Sequence, residues 1–326
     1  MPKSFVNYLK LDSKTKSQIV KTVLGFKCNP YTEIEKFILK ANLLFYRLPE
    51  NIQSALMNFQ RFGNIDGGLL IKGLPEDPNL PFTPKKLSDK YKKKTFVSEF
   101  CCALFSTPLG EIFSYIQEKK GNLFQDLFPT EVNKKKLSSE SSEILLDFHT
   151  EVAFHPYLPD FLMLYCLRSD FQKEAKTILS SGKKIIQFLK PKDISLLKEP
   201  VFETGIDYSF GNVSSKTGGG RIVPILSGSD FDPLICFDPD LMKSRINDDE
   251  IIHKVNSIAH HVSSFTILEP GDLLIIDNRR AIHGRTQFAA RFDGYDRWLQ
   301  RVLIRRELPT VGGDRKHNER IIRTKF

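Results

Sequence analysis

The amino-acid sequence predicts a mostly β chain, in which N-terminal helices buttress a β-sandwich or barrel core. Residues 11–62 space their apolar side chains by three and four positions, as amphipathic helices do. After about residue 140, short apolar segments follow one another, separated by turn signals such as "GSDFDP" and "EPGD". A helical part followed by many short strands favours a β core with helices packed outside it.

The elements between and after these landmarks are predicted in chain order. Residues 67–75 predict a strand, and residues 96–116 predict a helix interrupted near Pro108 and Gly110. "SDFQKEAKTILSS" is typical of a helix start, and "NDDEIIHKVNSIAHHVSSF" of a helix that carries His260 and His261. The strands predicted in the second part are 143–154, 161–168, 184–189, 222–226, 264–268, 272–277 and 297–305.

Two polar or glycine-rich stretches interrupt the pattern, at 130–143 and 211–221. They are either plain surface connections or a pair of lids over a site, and the sequence supports both interpretations equally.

The charge balance is basic, with a formal net charge of +9 over 326 residues. Nucleic acid would be one partner for such a chain. However, the lysine-rich tract at 85–94 contains a single aromatic residue, Tyr91, and no nucleic-acid-binding motif accompanies it. A solvated lysine-rich face is the favoured interpretation, and nucleic acid is not expected as a partner.

Cysteine usage and hydropathy predict a cytoplasmic protein. The five cysteines are odd in number and form no C-x-x-C pair, so no disulfide framework is expected. The start of the chain, "MPKSFVNYLK", lacks the apolar core of a signal peptide. The longest apolar runs fall short of the roughly 18 residues that a membrane helix needs, so no membrane association is expected.

The segment "LLDFHTEVAFHPYLPDF" contains candidate metal ligands. Residues two apart on a strand share a face, which places His149 beside Glu151. His155 lies about 20 Å further along an extended strand and cannot easily reach the same ion. His283, at the polar end of "GDLLIIDNRRAIHG", remains as the third ligand. Two histidines and a carboxylate are typical of non-haem iron oxygenases and also of zinc hydrolases, and an isolated H-x-E is often a satisfied core pair.

A strand near the C-terminus carries two arginines on one face. The alternation in "RFDGYDRWLQRVLIRRE" puts Arg297 and Arg301 on the same side. Guanidinium groups on the inward face of a core strand are costly unless they meet anions, and their forked shape fits a carboxylate. Buried salt bridges with Asp296 or Glu307 are the weaker alternative, because both acids are close in sequence and Asp296 faces the other side.

The stretches "FHTEVAFHPYLPDFLMLYCLRSD" (148–170) and "GDLLIIDNRRAIHGRTQFAARFDGYDRWLQRVLIRRE" (271–307) resemble the clavaminate synthase-like branch of the Fe(II)/2-oxoglutarate-dependent oxygenases. The resemblance implies a double-stranded β-helix, a jelly-roll barrel with iron inside one mouth. It implies one oxygenase domain over 1–326, with a helical part at 1–62, a jelly-roll core at 64–307 that includes both lids, and a basic tail at 308–326.

The resemblance also implies a role for each candidate residue. His149, Glu151 and His283 resemble the Fe(II) ligands, and the glutamate fits this branch, where related oxygenases commonly have an aspartate. Arg297 resembles the partner of the distal carboxylate of 2-oxoglutarate, and Thr177 a second contact of that cosubstrate. The implied substrate-binding residues are Arg301 for an α-carboxylate, Asp238 and Asp240 for a cationic side chain, Gln125 near the amine, and Glu151. The alternative for the two aspartates is a turn, since "DPD" is good turn chemistry.

The implied activity needs Fe(II), 2-oxoglutarate and O₂. 2-Oxoglutarate is decarboxylated to succinate and CO₂ while an unactivated C–H bond is hydroxylated. We expect the substrate to be a free L-amino acid, basic (arginine or lysine) rather than neutral. Two alternatives stay open, namely a desaturase or cyclase of the same family and a non-catalytic basic nucleic-acid-binding protein on an oxygenase fold.

Overall fold

The computed structural model describes residues 3–5, 8–86, 93–207, 210, 216–310, 314–316 and 319–324. Within these ranges the chain forms an eight-stranded and a five-stranded β-sheet, two small sheets and seven α-helices. The coarse prediction of a sheet-rich chain with N-terminal helices is confirmed.

Four α-helices precede residue 107, and three lie between strands of the second part. They are α1 (Ser13–Gly25), α2 (Ile34–Phe45), α3 (Glu50–Phe62), α4 (Val97–Ser106), α5 (Gly182–Ile185), α6 (Pro191–Leu197) and α7 (Glu250–Val262). Turns of 3₁₀-helix lie at Lys119–Gly121, Glu131–Asn133 and Ile186–Phe188. The longest α-helices have 13 residues, and within the described ranges none has the length and apolar character of a membrane span.

The strands are short, as the spacing of the turn signals predicts. They are β1 (Lys3–Ser4), β2 (Tyr8–Lys10), β3 (Gly68–Lys72), β4 (Glu111–Tyr115), β5 (Gln125–Leu127), β6 (Leu146–His149), β7 (Phe161–Arg168), β8 (Lys176–Ser181), β9 (Phe202–Glu203), β10 (Ile222–Val223), β11 (Leu226–Ser229), β12 (Asp232–Ile235), β13 (Lys243–Ser244), β14 (Ser264–Ile267), β15 (Leu273–Asp277), β16 (Ala281–Arg285), β17 (Trp298–Arg305) and β18 (Ile321–Ile322). The predicted strands at 161–168, 264–268, 272–277 and 297–305 and the predicted helix around His260 are confirmed.

Strands β6 to β8 alternate between the two large sheets, and so do β14 to β17, whereas β8 and β14 are neighbours in the five-stranded sheet. The eight-stranded sheet has the order β18-β4-β17-β7-β15-β3-β2, with β5 paired to β17. The five-stranded sheet has the order β1-β14-β8-β16-β6. Side chains from β6, β8 and β16 and from β7 and β17 line one cavity, so the candidate site lies between the sheets.

The N-terminal helices cover the outer face of the eight-stranded sheet. Met163 of β7 packs in one cluster with Phe37 of α2 and Phe100 of α4, whereas Leu164 packs on the opposite face. Because both faces of β7 are covered, the strand is a continuous apolar run. Full burial of one such side chain contributes about 1.5–3 kcal/mol, so this layer firmly holds the sheet that includes β17.

The segment 96–116 is a helix followed by a strand, and the prediction of one interrupted helix is wrong. The helix α4 ends at Ser106, and β4 then pairs with β17. Gly110 has φ +141°, and a Cβ there would lie 2.2 Å from the carbonyl oxygen of Arg305. The proline and glycine therefore end the helix, because the chain must pass close against β17.

The segment 184–189, predicted as a strand, is helical. The Ser181 hydroxyl accepts the N–H of Lys184 at 3.2 Å and caps α5. This cap satisfies a backbone donor that a strand would have paired, so the local side-chain bond decides against the apolar pattern.

The segment around Thr177, predicted to begin a helix, is strand β8. The Asp170 carboxylate accepts the N–H groups of Glu174 and Ala175 at 2.7 and 3.2 Å. Asp170 therefore closes a turn and does not cap a helix, and the β-branched residues that follow extend as a strand.

Three other boundaries differ from the predictions. β6 ends at His149, and residues 151–154 form a turn. The strand predicted at 222–226 divides into β10 and β11 at Pro224, which has no N–H to donate. The tail after residue 308 contributes β18, which pairs in parallel with β4. Of the second predicted lid, residues 211–215 lie outside the described ranges.

Candidate metal and cosubstrate site

Strands β6 and β16 bring two histidines to the same level of the five-stranded sheet. His149 and His283 are directly opposed partners, and their ring centroids are 4.3 Å apart. The register then shifts, so that Arg285 pairs with Leu146. A Cβ at Gly284 would lie 2.6 Å from the carbonyl oxygen of Leu146. The glycine of "IHGR" therefore lets the two strands approach at this bulge.

Glu151 lies in the turn after β6, and the connection between β15 and β16 holds its backbone. Its N–H donates to the side-chain oxygen of Asn278 at 2.8 Å, and the Asn278 amide donates to the Glu151 carbonyl oxygen at 3.1 Å. The next residue, Val152, has φ +54°, which a β-branched residue rarely adopts. His149 and Glu151 are neighbours as predicted, but a locked turn and not strand alternation brings them together.

The side chains of His149, Glu151 and His283 converge on one point. Oε2 of Glu151 lies 3.3 Å from Nε2 of His283 and 3.9 Å from Nε2 of His149. One ligand atom of each residue lies within 4.8 Å of the others, and no other group of three His, Cys, Asp or Glu residues within the described ranges does so. Metal bonds of about 2.0–2.2 Å bring neighbouring ligand atoms to about this separation. Three ligands leave further coordination positions open for small molecules.

The protonation states of these residues suit a divalent metal. Nδ1 of His149 donates to the carbonyl oxygen of Asp147 at 2.8 Å, which leaves the Nε2 lone pair free in the neutral ring. Burial, followed by the neighbouring His149, lowers the pKa of His283 to about 4. Burial alone would raise the pKa of Glu151, but Arg301 and the two histidines hold it well below its usual range. At pH 7 the group offers a neutral His283 and a carboxylate, as a metal requires.

Arg301 of β17 is buried among acceptors. Its Nη1 atom donates to Oε1 of Glu151 at 2.6 Å, so the two carboxylate oxygens of Glu151 face different partners. Its Nε atom donates to Oε1 of Gln125 at 2.9 Å, and its Nη2 atom forms an ion pair with Glu118. Burial would lower the pKa of Arg301, but Glu118 and Glu151 raise it. Arg301 therefore forms buried ion pairs, but with Glu118 and Glu151 and not with Asp296 or Glu307.

Glu118 and Gln125 both contact Arg301 but differ in their position relative to the cavity. Glu118 lines the cavity, and its Oε2 atom is buried without a hydrogen-bond partner among the described residues. Burial raises the pKa of this carboxyl, although Arg301 opposes the rise. Gln125 lies behind Arg301 as its cross-strand partner on β5 and is not among the residues that line the cavity. Glu118, to which the sequence had given no role, therefore lines the cavity, whereas Gln125 does not.

Arg297 and Thr177 meet in the wall of the same cavity. Nη2 of Arg297 lies 3.4 Å from Oγ1 of Thr177, and both side chains are buried. Burial lowers the pKa of Arg297. Among the described residues, no carboxylate forms an ion pair with this guanidinium. Because an unpaired buried charge is costly, an anionic ligand would stabilise this corner of the cavity.

Asp238 and Asp240 follow β12, and both line the cavity. The Asp238 carboxylate accepts two backbone N–H groups at 3.1 Å, so the turn considered for this pair also exists. Burial raises the pKa of Asp238 to about 6, and the charge of Asp240 adds to the rise. The N–H of Thr150 donates to the carbonyl oxygen of Phe237 at 2.7 Å. This bond ties the aspartate segment to the chain between the candidate ligands His149 and Glu151.

The cavity wall contains further residues that the sequence did not single out. Leu137–Glu140 of the first predicted lid contribute to it, as do Asp207, Phe210 and Arg285. The sequence could have indicated Arg285, because it follows His283 by two residues in one strand and therefore shares its face. Glu118 and Asp207 had none, because each lies in a stretch without periodicity and reaches the cavity only through the fold.

Comparison with known proteins agrees with this geometry. The profile of the Taurine catabolism dioxygenase TauD, TfdA family matches residues 231–303, which include His283 and Arg297. Clavaminate synthase 2 of Streptomyces clavuligerus is 36% identical over 290 residues, covering 88% of this chain and 89% of the relative. L-lysine 3-hydroxylase of Catenulispora acidiphila is 37% identical over 272 residues, covering 82% of this chain and 75% of the relative.

A solved structure extends the similarity to the whole fold. Asparagine oxygenase in complex with Fe(II), 2S,3S-3-hydroxyasparagine and succinate matches with a TM-score of 0.88 at 26% identity, over 98% of this chain and 100% of that one. Identity above one third over most of the chain, together with this shared fold, confirms the resemblance seen in the sequence. The chain belongs to the clavaminate synthase-like family of Fe(II)- and 2-oxoglutarate-dependent oxygenases, and it is an enzyme.

Proposed function

We propose that this enzyme hydroxylates a free basic L-amino acid, lysine or arginine, with Fe(II) held by His149, Glu151 and His283. When bound there, the iron supplies the oxidative chemistry that couples conversion of 2-oxoglutarate and O₂ to succinate and CO₂ with hydroxylation of a C–H bond. The protein binds both small molecules, orients the target carbon and excludes water. The observation that carries the proposal is the charged lining of the cavity, which combines Arg297, without an ion-pair partner among the described residues, with the carboxylates of Asp238 and Asp240.

The cosubstrate end of the cavity is assigned to Arg297 and Thr177. The guanidinium is buried, faces a hydroxyl at 3.4 Å and has no ion-pair partner in the described structure. A carboxylate at this place would receive the forked N–H groups in two hydrogen bonds and add the missing negative charge. A dicarboxylate fits, because its other end remains free to approach the metal ligands in the same cavity.

The head of the amino-acid substrate is assigned to Arg301 and Glu118. An α-carboxylate would pair with Arg301, and an α-ammonium group would donate to the partnerless Oε2 atom of Glu118. Glu151 links this subsite to the metal, because its Oε2 atom faces the histidines while its Oε1 atom holds Arg301. We propose that Gln125, which contacts Arg301 from behind, positions the guanidinium and does not touch the amine.

The far end of the substrate is assigned to Asp238 and Asp240, which line the same cavity. Carboxylates that line one cavity attract a cationic side chain and reject an acidic one. The similarity to an L-lysine 3-hydroxylase supports a basic substrate for this chain too. Lysine and arginine, each a zwitterion with an additional positive charge, match a cavity wall that contains both arginines and carboxylates.

The stretch 130–143 is proposed as a cover over the site. Within it, Glu140 accepts from the Asn133 amide at 2.6 Å and pairs with Lys119, which also lines the cavity. Ser138, Ser141 and Ser142 are buried, so the stretch packs into the fold and is not a loose surface connection. A cover of this kind would keep water from the reacting carbon. A second cover at 211–221 is proposed on the sequence pattern.

The proposal includes a double-stranded β-helix, a single domain and a cytoplasmic location. The alternation of β6, β7 and β8, and again of β14, β15, β16 and β17, between two sheets supports a double-stranded β-helix. The N-terminal helices pack on the eight-stranded sheet, and β18 pairs with β4 of the same sheet. Both contacts support a single domain over 1–326. The five cysteines carry free thiols, which supports a cytoplasmic location.

A substrate panel tests the proposed function. Anaerobically Fe(II)-loaded protein would receive 2-oxoglutarate with lysine, arginine, glutamine, leucine or asparagine, followed by air. Lysine or arginine should give the most succinate, together with a product heavier by one oxygen atom. A product lighter by two hydrogens would instead identify a desaturase. Preference for asparagine would refute the basic substrate, and no succinate above the background with any amino acid would refute the substrate class.

A further inference from the structure

A second buried guanidinium lies beside Arg297. Arg285 of β16 is only 5% exposed and lines the same cavity. It is the direct cross-strand partner of Thr177, the residue that Arg297 contacts. The Phe288 ring also joins the two arginines, because its centroid is 5.1 Å from Cζ of Arg285 and 5.9 Å from Cζ of Arg297. One threonine and one phenylalanine thus place two positive charges in one corner of the cavity.

Neither of these guanidinium groups has a carboxylate partner among the described residues. Arg285 donates from Nη2 to Oγ of Ser141 at 2.7 Å and from Nη1 to the carbonyl oxygen of Thr286 at 3.2 Å. Both acceptors are neutral, so no ion pair among the described residues offsets the repulsion between the two arginines. A carboxylate has two oxygens and about four lone-pair sites, enough to accept from two guanidinium groups at once.

We propose that Arg285 is a second binding cation for the distal carboxylate of 2-oxoglutarate. The inference rests on the proposed function, in which that carboxylate meets Arg297. Arg285 also holds Ser141 of the proposed cover, and the Ser142 carbonyl oxygen accepts the N–H of Phe288 at 2.9 Å. The distal carboxylate therefore neutralises the corner against which the cover packs, and cosubstrate binding secures the cover over the cavity.

The test measures binding by the full-length, Fe(II)-loaded protein under anaerobic conditions. Calorimetry would compare 2-oxoglutarate with 2-oxopentanoate, which has the same chain length but a methyl group in place of the distal carboxylate. Arg285→Gln should weaken binding of 2-oxoglutarate at least about tenfold, the value of one hydrogen bond to a charged group. Its affinity for 2-oxopentanoate should stay at the wild-type value. Arg245→Gln, which changes an exposed arginine, is the control and should alter neither constant.

The outcomes separate this inference from the proposed function. If Arg285→Gln weakens the binding of both ligands equally, Arg285 has a structural role and the inference is overturned. Unchanged binding of both ligands would also overturn it. Arg285→Lys keeps the charge but lacks the fork, and it should recover part of the loss. If wild-type protein binds both ligands equally well, the assignment of the distal carboxylate to Arg297 fails, and this inference fails with it.

Limited digestion with trypsin tests the link to the cover. The cover contains Lys134, Lys135 and Lys136, and the Lys135 side chain is 74% exposed. 2-Oxoglutarate should slow cleavage at these lysines in wild-type protein, and 2-oxopentanoate should not. The protection should be lost in Arg285→Gln and in Ser141→Ala. Full protection in both variants would show that the cover does not depend on Arg285.

Discussion

Replacement of Arg297 by methionine should change stability and ligand binding in opposite directions. In the ligand-free protein, Arg297 is buried, has no ion-pair partner in the described residues and makes one 3.4 Å contact with Thr177. Methionine has a similar length and no charge to desolvate. Substitution of buried charges by apolar residues is often neutral or stabilises proteins by about 1–4 kcal/mol. We therefore expect Arg297→Met to be at least as stable as the wild type without ligand.

The same substitution should nearly abolish binding of the cosubstrate. Loss of one member of a buried charge pair costs about 3–5 kcal/mol, which corresponds to a dissociation constant raised roughly 100- to several-thousand-fold. A ligand at 100 times its dissociation constant stabilises a protein by about 2.7 kcal/mol. At that concentration, a variant that binds 100 times more weakly gains about 0.4 kcal/mol.

Thermal unfolding with and without 2-oxoglutarate, on anaerobic Fe(II)-loaded protein, measures both effects in one experiment. Arg245→Gln serves as the exposed-arginine control and should match the wild type with and without ligand. If Arg297→Met is clearly less stable without ligand yet retains the full ligand-induced shift, Arg297 has a structural role and the reasoning is refuted.

Three further predictions address the metal, the substrate and pH. His283→Ala should lose Fe(II) binding and succinate formation while keeping its circular dichroism spectrum, and full turnover by this variant would exclude the ligand assignment. Replacing Asp238 and Asp240 together by asparagine should reduce the preference for lysine over glutamine by about tenfold or more per residue in competition assays; an unchanged preference would place the cationic group elsewhere. Since the pKa of Asp238 is raised to about 6, its carboxyl becomes neutral as the pH falls below that value. The affinity for lysine should then fall, and the affinity for glutamine should change less; an equal loss for both would assign the titration to another group.

The metal ligands could be predicted because each lies in a short motif with few competitors. The chain has only 7 histidines. His155 was set aside because an extended strand would carry it too far away; the chain turns after His149 instead, but His155 is not part of the converging group. Strand alternation predicted correctly that Glu151 lies beside His149. However, β6 ends at His149, and a turn held by Asn278 places the carboxylate there. Local alternation cannot reveal such a turn, because its hydrogen bonds come from a residue more than a hundred positions away.

The partners of Arg301 could not be predicted from sequence for a related reason. Its alternation on β17 indicated an inward side chain, and the structure places it inside. Glu118 reaches it from the turn after β4, and Lys119 and Lys120 in that turn have positive φ angles, which no sequence pattern marks. Likewise, the start of β8 looked helical because Asp170 is as good at closing a turn as at capping a helix. Long-range pairing decided the partners of Arg301, whereas a local side-chain bond of Asp170 decided the start of β8.

The most direct test of the central claim is an anomalous-scattering measurement at the iron absorption edge. Crystals would be grown anaerobically with Fe(II) and 2-oxoglutarate. We predict one iron peak within about 2.0–2.2 Å of Nε2 of His149, an Oε atom of Glu151 and Nε2 of His283, with the distal carboxylate of 2-oxoglutarate against Arg297. Iron bound at other residues, or a distal carboxylate that points away from Arg297, would contradict the proposed site.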